Sequence, residues 1–131
     1  MSEKIRCSVI LPASAEEIYT AWLDSKKHGA FTGDKAKIDA KVGGKFTAWG
    51  GYILGKTLEL EPFKRIVQAW RTTDFPEEAP DSKLEVVLEA EGKGTCFTLF
   101  HSNITDGQGD EYLKGWEDYY FEPMKAFFGA K

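Results

Sequence analysis

The segment from Asp110 to Phe128 constrains the fold most, because it carries large apolar side chains at helical spacing. Five of them recur every three or four residues and share one helix face: Leu113, Trp116, Tyr120, Met124 and Phe127. A helix with so many large side chains must bury that face against a sheet. Pro123 has no backbone N–H, so a kink or break is expected near Tyr119 to Pro123.

The chain before this helix contains short runs in which apolar and polar residues alternate, a pattern typical of strands. The first such run extends from Glu3 to Leu11. Six more are predicted further along the chain, at Ala36–Val42, Lys45–Trp49, Tyr52–Glu61, Arg65–Thr72, Ser82–Glu91 and Thr95–Ser102. The turns between neighbouring runs are too short for parallel crossovers, so consecutive strands are expected to pair antiparallel.

Two short helices are predicted after the first strand. A capping-box pattern predicts a helix from about Ala15 to Leu23. Ser25 is expected to cap a second helix that ends at Gly29 or Gly33. The predicted fold class is therefore α+β, with a seven-stranded antiparallel sheet, two short helices after the first strand and a long C-terminal helix. Residues 1–131 are expected to form a single domain.

Composition restricts the classes of partner. The 131 residues are 42% apolar, which is enough for a substantial core. A net charge of −4 without a basic run argues against nucleic acids and anionic membranes as partners. No apolar stretch approaches a membrane span, and nothing resembles a signal peptide. Cys7 and Cys96 are expected to be reduced rather than bridged, which favours a cytoplasmic location.

Candidate chemistry is sparse. His28 and His101 are the only histidines, and neither has a partner at metal-ligand spacing. His101 is expected to point inward, either as a structural hydrogen-bonded group or as a polar anchor or general base in a cavity. His28 is expected at a solvated helix end. No nucleophile motif is present, so no cofactor, metal or catalytic residue is predicted.

The acidic stretch 77–91 is interpreted as a solvated surface, with a docking surface for a basic partner as the alternative.

Several stretches resemble one protein family, in order and along nearly the whole chain. They are Ala30-Phe31-Thr32, Gly43-Gly44-Lys45-Phe46, Trp70-Arg71, His101-Ser102 and Gly115-Trp116-Glu117-Asp118-Tyr119-Tyr120-Phe121-Glu122. They resemble the C-terminal-type domain of the activators of the ninety-kilodalton heat-shock protein ATPase. This resemblance implies the START-like, pollen-allergen-like helix-grip fold, which often encloses an apolar cavity. It also implies a stand-alone member without the N-terminal domain of eukaryotic relatives, retaining at most the docking role.

The aromatic side chains are expected to converge between the sheet and the C-terminal helix, as a packed core or as the wall of a cavity. The candidate ligand-binding residues are Trp22, Phe31, Phe46, Trp70, Phe97, His101, Trp116 and Tyr120, and Trp49 is expected in the same cluster. The leading hypothesis is a non-enzymatic binding module for a small apolar or aromatic ligand. The alternatives are a co-chaperone that docks on a heat-shock chaperone, and a small lyase or cyclase-type enzyme on the same fold.

Overall fold

The computed structural model describes residues 2–129 and contains one curved antiparallel sheet. Its strands are β1 (Ser2–Leu11), β2 (Lys37–Ile38), β3 (Lys45–Ala48), β4 (Ile53–Glu61), β5 (Arg65–Thr72), β6 (Ser82–Glu91) and β7 (Gly94–Thr105). They lie in the order β1-β7-β6-β5-β4-β3-β2, so the first strand pairs with the last. The seven-stranded antiparallel sheet predicted from the alternation is confirmed.

Strand β2 is much shorter than the predicted strand Ala36–Val42. Only Lys37 and Ile38 pair with β3. The Asp39 N–H still donates to the carbonyl of Lys45 at 3.0 Å, and the chain then turns, with the Lys41 N–H donating to the carbonyl of Asp39 at 2.8 Å. Gly44 lies against Asp39 in this turn, where an added Cβ would lie 2.2 Å from the carbonyl oxygen. Val42 is 59% exposed, so its place in the alternating pattern did not reflect burial.

The two short helices follow β1. Helix α1 (Ala15–Leu23) is confirmed with its capping box, in which Ser14 Oγ accepts a hydrogen bond from the Glu17 N–H at 3.1 Å. Helix α2 (Ser25–Thr32) ends at Gly33, one of the two predicted ends, in a left-handed conformation with φ of 84°.

The predicted cap of α2 is wrong by one residue. The side chain of Asp24 accepts the hydrogen bond from the Lys27 N–H at 3.3 Å, so Asp24 is the cap. Ser25 Oγ instead accepts a hydrogen bond from the Ile38 N–H at 2.7 Å. Its hydroxyl is therefore used to hold β2 against the start of α2.

The C-terminal helix consists of α3 (Gly109–Trp116), a π-helical turn (Glu117–Phe121) and α4 (Glu122–Gly129). In the π turn the Glu122 N–H donates to the carbonyl oxygen of Glu117, five residues earlier. Pro123 has no N–H for the carbonyl of Tyr119, and the widened turn lies immediately before it. The irregularity is thus close to the predicted position, and of the two predicted alternatives, a kink or a break, the break does not occur because the chain remains helical.

The π turn also changes which residues the helix buries. Five buried residues recur every four positions, namely Tyr112, Trp116, Tyr120, Met124 and Phe128, and Phe121 is buried beside them. In a regular α-helix, residues four apart point in directions that differ by about 40° around the helix axis. A widened turn compensates for part of this difference, so residues four apart stay on the same face. The period of 3.6 residues therefore predicted Leu113 and Phe127 wrongly as ends of the inner face, since both are only half-buried.

The core lies between the concave face of the sheet and the three helices. Phe97, Leu99 and Met124 are completely buried there. Cys7 is buried and Cys96 half-buried, and both are free thiols, as expected. Burial, helped by the nearby Glu117 charge, raises the pKa of the Cys7 thiol to about 12, which makes it a poor nucleophile.

Candidate functional site: an aromatic cleft between sheet and helix

The centre of the predicted aromatic cluster is filled by protein. The Trp22 ring lies within 6.4 Å, centroid to centroid, of the rings of Phe31, Phe97, Trp116 and Tyr120. The space left beside Trp22 is about 10 Å³, which is of the order of a single water molecule. This part of the interior is therefore a packed core.

A larger cleft of about 320 Å³ opens at the end of the sheet near the first turns of the C-terminal helix. The helix contributes four rings to it, from Tyr112, Trp116, Tyr119 and Tyr120. Glu111 and Gly115 complete this wall. A Cβ added at Gly115 would meet only the Tyr119 ring, at 4.0 Å, so this glycine leaves one side of the cleft unfilled.

The opposite wall comes from the sheet and from the turn after β3, and comprises Trp49, Tyr52, Ile53 and Trp70. Trp49 has a φ of 54°, a left-handed conformation that is unusual for a bulky residue. It is followed by Gly50 and Gly51, whose φ angles are also positive. This backbone holds the Trp49 ring 5.9 Å from that of Tyr119, so a strained turn positions one side of the cleft.

His101 lies behind the cleft and is completely buried. Its Nδ1 accepts a hydrogen bond from Trp116 Nε1 at 3.1 Å, while Nε2 lies 2.7 Å from Ser82 Oγ. The Ser82 hydroxyl donates to the carbonyl of Trp70 at 2.7 Å, so Nε2 must carry the ring proton. Burial lowers the pKa of His101 to about 3, and the neutral ring is a structural link between sheet and helix.

His28 is buried as well, which contradicts its predicted place at a solvated helix end. Its Nδ1 donates to the carbonyl of Trp22 at 2.9 Å, and its Nε2 accepts from the Tyr120 hydroxyl at 2.9 Å. Burial lowers the pKa of His28 to about 4, although the bond to the Trp22 carbonyl acts in the opposite direction. The flanking lysines misled the prediction, because only one side of this short helix faces solvent.

The two tyrosines at the mouth of the cleft also bond to protein groups. The Tyr52 hydroxyl donates to Asp74 Oδ2 at 2.5 Å. The hydroxyl of Tyr112 lies 2.6 Å from Thr72 Oγ1. Burial raises the pKa of the Tyr112 phenol; the bond to Thr72 acts against this, and the negative charges of Asp74 and Glu111 add to it. These two tyrosines therefore present their ring faces to the cleft rather than free hydrogen-bond donors.

The cleft unites only part of the predicted ligand-binding set. Trp70, Trp116 and Tyr120 line it. The others lie in the packed interior, namely Trp22, Phe31, Phe46, Phe97 and His101. The predicted set omitted several lining residues, which are Trp49, Tyr52, Ile53, Glu111, Tyr112, Gly115 and Tyr119, although Trp49 was expected in the surrounding aromatic cluster. The Gly50-Gly51 pair beside Trp49 was the one local signal for this wall, because it marks a sharp turn between strands.

The acidic stretch 77–91 is partly neutralised within the chain. Glu85 binds the guanidinium of Arg65, which also contacts two glutamates of β4. Asp81 binds Arg71 at 2.9 Å.

Within residues 2–129 there is no group of three or more His, Cys, Asp and Glu side chains placed to hold a metal ion. In the same part of the chain, no helix has the length and apolarity needed to cross a membrane.

A curved seven-stranded antiparallel sheet that grips a long C-terminal helix, with a cleft between them, defines a helix-grip protein of the START-like class. The family model described as Activator of Hsp90 ATPase homolog 1-like protein matches residues 12–129. The chain belongs to this family, as the resemblance indicated.

Individual relatives agree with this assignment. The human activator of 90 kDa heat shock protein ATPase homolog 1 is 31% identical over 126 residues, which cover 96% of this chain and 37% of that protein. A crystal structure of an HSP90 activator from Plasmodium falciparum is 27% identical, with a TM-score of 0.76 and coverage of 93% of this chain and 91% of that one. CalU16 from Micromonospora echinospora is 28% identical, with a TM-score of 0.75 and coverage of 97% and 75%. The chain spans about a third of the length of the curated relatives it matches.

Proposed function

We propose that this chain is a non-enzymatic binding module that holds a small apolar or aromatic ligand in the cleft between the sheet and the C-terminal helix. The observation that carries the proposal is the cleft itself. Its volume of about 320 Å³ lies at the lower end of the range of small-molecule sites, and its lining is predominantly aromatic.

The arrangement of the histidines supports the non-enzymatic part of this proposal. Both ring nitrogens of His101 and of His28 are engaged by protein groups. Their pKa values are lowered to about 3 and about 4, far from the range of an effective general base at neutral pH. A lyase or cyclase-type reaction would need its acid and base from other residues.

Gly115 provides a direct test of the cleft. Gly115→Leu is expected to fill the cleft from the helix side, while Gly115→Ala adds a methyl group that meets only one ring atom at 4.0 Å. The probe is the neutral dye N-phenyl-1-naphthylamine, followed by its fluorescence and by amide chemical shifts. We expect saturable binding to the wild type and to Gly115→Ala, and a loss of roughly tenfold or more in affinity for Gly115→Leu.

Two results would remove the ligand proposal. One is the absence of saturable binding to the wild type, both of this dye and of smaller aromatic probes. The other is binding whose shifts lie on the convex face of the sheet and that Gly115→Leu leaves unchanged. Circular dichroism of all three proteins controls for folding, and Gly115→Ala is expected to be the more stable helix by about 1 kcal/mol.

A second candidate function is docking on a ninety-kilodalton heat-shock chaperone in the cytoplasm, favoured by the 31% identity to the human activator over 96% of this chain. The test adds the purified chain to the cognate chaperone and measures binding by calorimetry and ATP hydrolysis by phosphate release. We expect binding with a modest change in the ATPase rate, because the chain corresponds to about a third of the human protein. Absence of binding would exclude this function.

A further inference from the structure

We infer that the cleft is a cation–π cage that selects an organic cation, namely a quaternary or tertiary ammonium group carried on a small apolar or aromatic body. This inference rests on the proposed ligand-binding function and names the chemical class of the ligand. Ammonium groups that cannot donate several hydrogen bonds are recognised by the faces of Trp and Tyr rings, which carry the negative part of the ring quadrupole.

The first supporting observation is that four of the seven lining rings use their polar ends inside the protein. The hydroxyls of Tyr52 and Tyr112 and the indole nitrogen of Trp116 are bonded to side chains of the sheet or of the adjoining loop. The hydroxyl of Tyr120 is bonded to His28. These four rings therefore offer a ligand their π faces and apolar edges instead of free donors, which favours dispersion and cation–π attraction.

The second observation is the relative orientation of the rings. The Trp70 and Tyr112 planes are inclined by 87°, with centroids 5.2 Å apart, and those of Trp49 and Tyr119 by 75°. Trp70 and Trp116 are inclined by 43°. A flat neutral ring stacks best between parallel faces, whereas a compact cation is attracted by several inclined faces at once. None of these three pairs presents parallel faces to a flat ring, which favours a compact cation over a flat neutral ligand.

The third observation is the charge around the cleft. Among the described residues that line it, Glu111 is the only charged one. The carboxylate of Asp74 lies just behind the ring of Tyr52, whose hydroxyl it accepts. Both carboxylates act on the phenol of Tyr112, so their field reaches the wall of the cleft. A cation is attracted by this field, and an anion of the same shape is repelled.

The test compares two ligands of the same shape that differ in charge. They are (3-hydroxyphenyl)trimethylammonium and its uncharged carbon isostere 3-tert-butylphenol, and affinities are measured by amide chemical-shift titration of the full chain. We expect the ammonium compound to bind roughly tenfold tighter than the isostere, the size of effect that a desolvated cation–π contact produces. Gly115→Leu is expected to weaken both compounds.

Variants of the helix separate charge from shape. Glu111→Gln is expected to weaken the ammonium compound several-fold and to leave the isostere unchanged. Glu117→Gln, an exposed glutamate of the same helix outside the cleft lining, is the matched control and is expected to change neither affinity. Equal or tighter binding of 3-tert-butylphenol would overturn the cation inference while the ligand-binding function stands. Failure of both compounds and of N-phenyl-1-naphthylamine to bind would overturn both proposals.

Discussion

Lowering the pH from 7 to 5 is expected to destabilise the fold through its two buried histidines. The folded-state pKa is about 3 for His101 and about 4 for His28, against an ordinary value of 6.5. Because both values are lowered, the neutral rings contribute stability above pH 6.5, and this stability is lost as the pH falls toward the folded-state pKa values. At these two histidines the unfolded chain takes up about 1.5 protons in this interval, and the folded chain takes up almost none.

The magnitude follows from this proton uptake. A histidine that has a pKa of 6.5 in the unfolded chain and stays neutral in the folded chain lowers the free energy of unfolding by about 2 kcal/mol when the pH falls from 7 to 5. The two together lower the free energy of unfolding by about 4 kcal/mol, a large fraction of the stability of an ordinary domain. The result does not depend on how far below pH 5 the folded-state values lie. Asp and Glu side chains contribute little in this interval, because their ordinary pKa values lie near 4.

Urea denaturation followed by tryptophan fluorescence at pH 7, 6 and 5 measures this dependence. The matched variant His101→Gln keeps a donor for Ser82 and is expected to be less stable at pH 7 but to lose only about 2 kcal/mol on acidification. An unfolding free energy that changes by less than about 1 kcal/mol between pH 7 and pH 5 would refute the argument. So would a histidine ring signal that titrates near its ordinary pKa in the folded protein.

Three further predictions concern packing and reactivity. Met124 is completely buried, so Met124→Ala is expected to lower the free energy of unfolding, measured by urea denaturation, by about 2–5 kcal/mol. Leu58 is 42% exposed, so Leu58→Ala is expected to lower it by less than about 1 kcal/mol. Gly55→Ala is expected to lower thermal stability strongly, since its Cβ would lie 2.0 Å from a backbone carbonyl oxygen of β5, and an unchanged melting temperature would contradict this close approach. Iodoacetamide is expected to modify Cys96 before Cys7 in the native protein, as read by peptide mass spectrometry, because Cys7 is more buried and its pKa is raised to about 12.

The strands and helices followed from periodicity wherever one face is buried. The alternation in β5 and β6 and the capping box of α1 predicted those elements with correct bounds. Where alternation continued without burial, as in the segment after Ile38, the pattern overestimated the strand. Residues 39–44 form a turn closed by their own backbone hydrogen bonds, and the alternation of apolar and polar residues does not report it.

The candidate site was predicted only at the level of the two elements that form it. Trp116 and Tyr120 were placed correctly on the inner face of the C-terminal helix, but the sequence did not indicate where packing ends and space begins. That boundary depends on the left-handed backbone of Trp49 and on the missing side chain of Gly115. His28 was misplaced because its two partners, the carbonyl of Trp22 and the hydroxyl of Tyr120, come together only in the folded chain.

The π turn holds one residue more than a regular helical turn needs for the same rotation. Deleting one residue between Glu117 and Phe121 would therefore narrow this turn to α-helical width and leave α4 nearly in its present orientation relative to α3. Met124 and Phe128 would stay in the core. A deletion inside α3 or α4 would instead rotate every residue beyond it by about 100°, so the π turn is where the C-terminal helix is expected to tolerate a change in length.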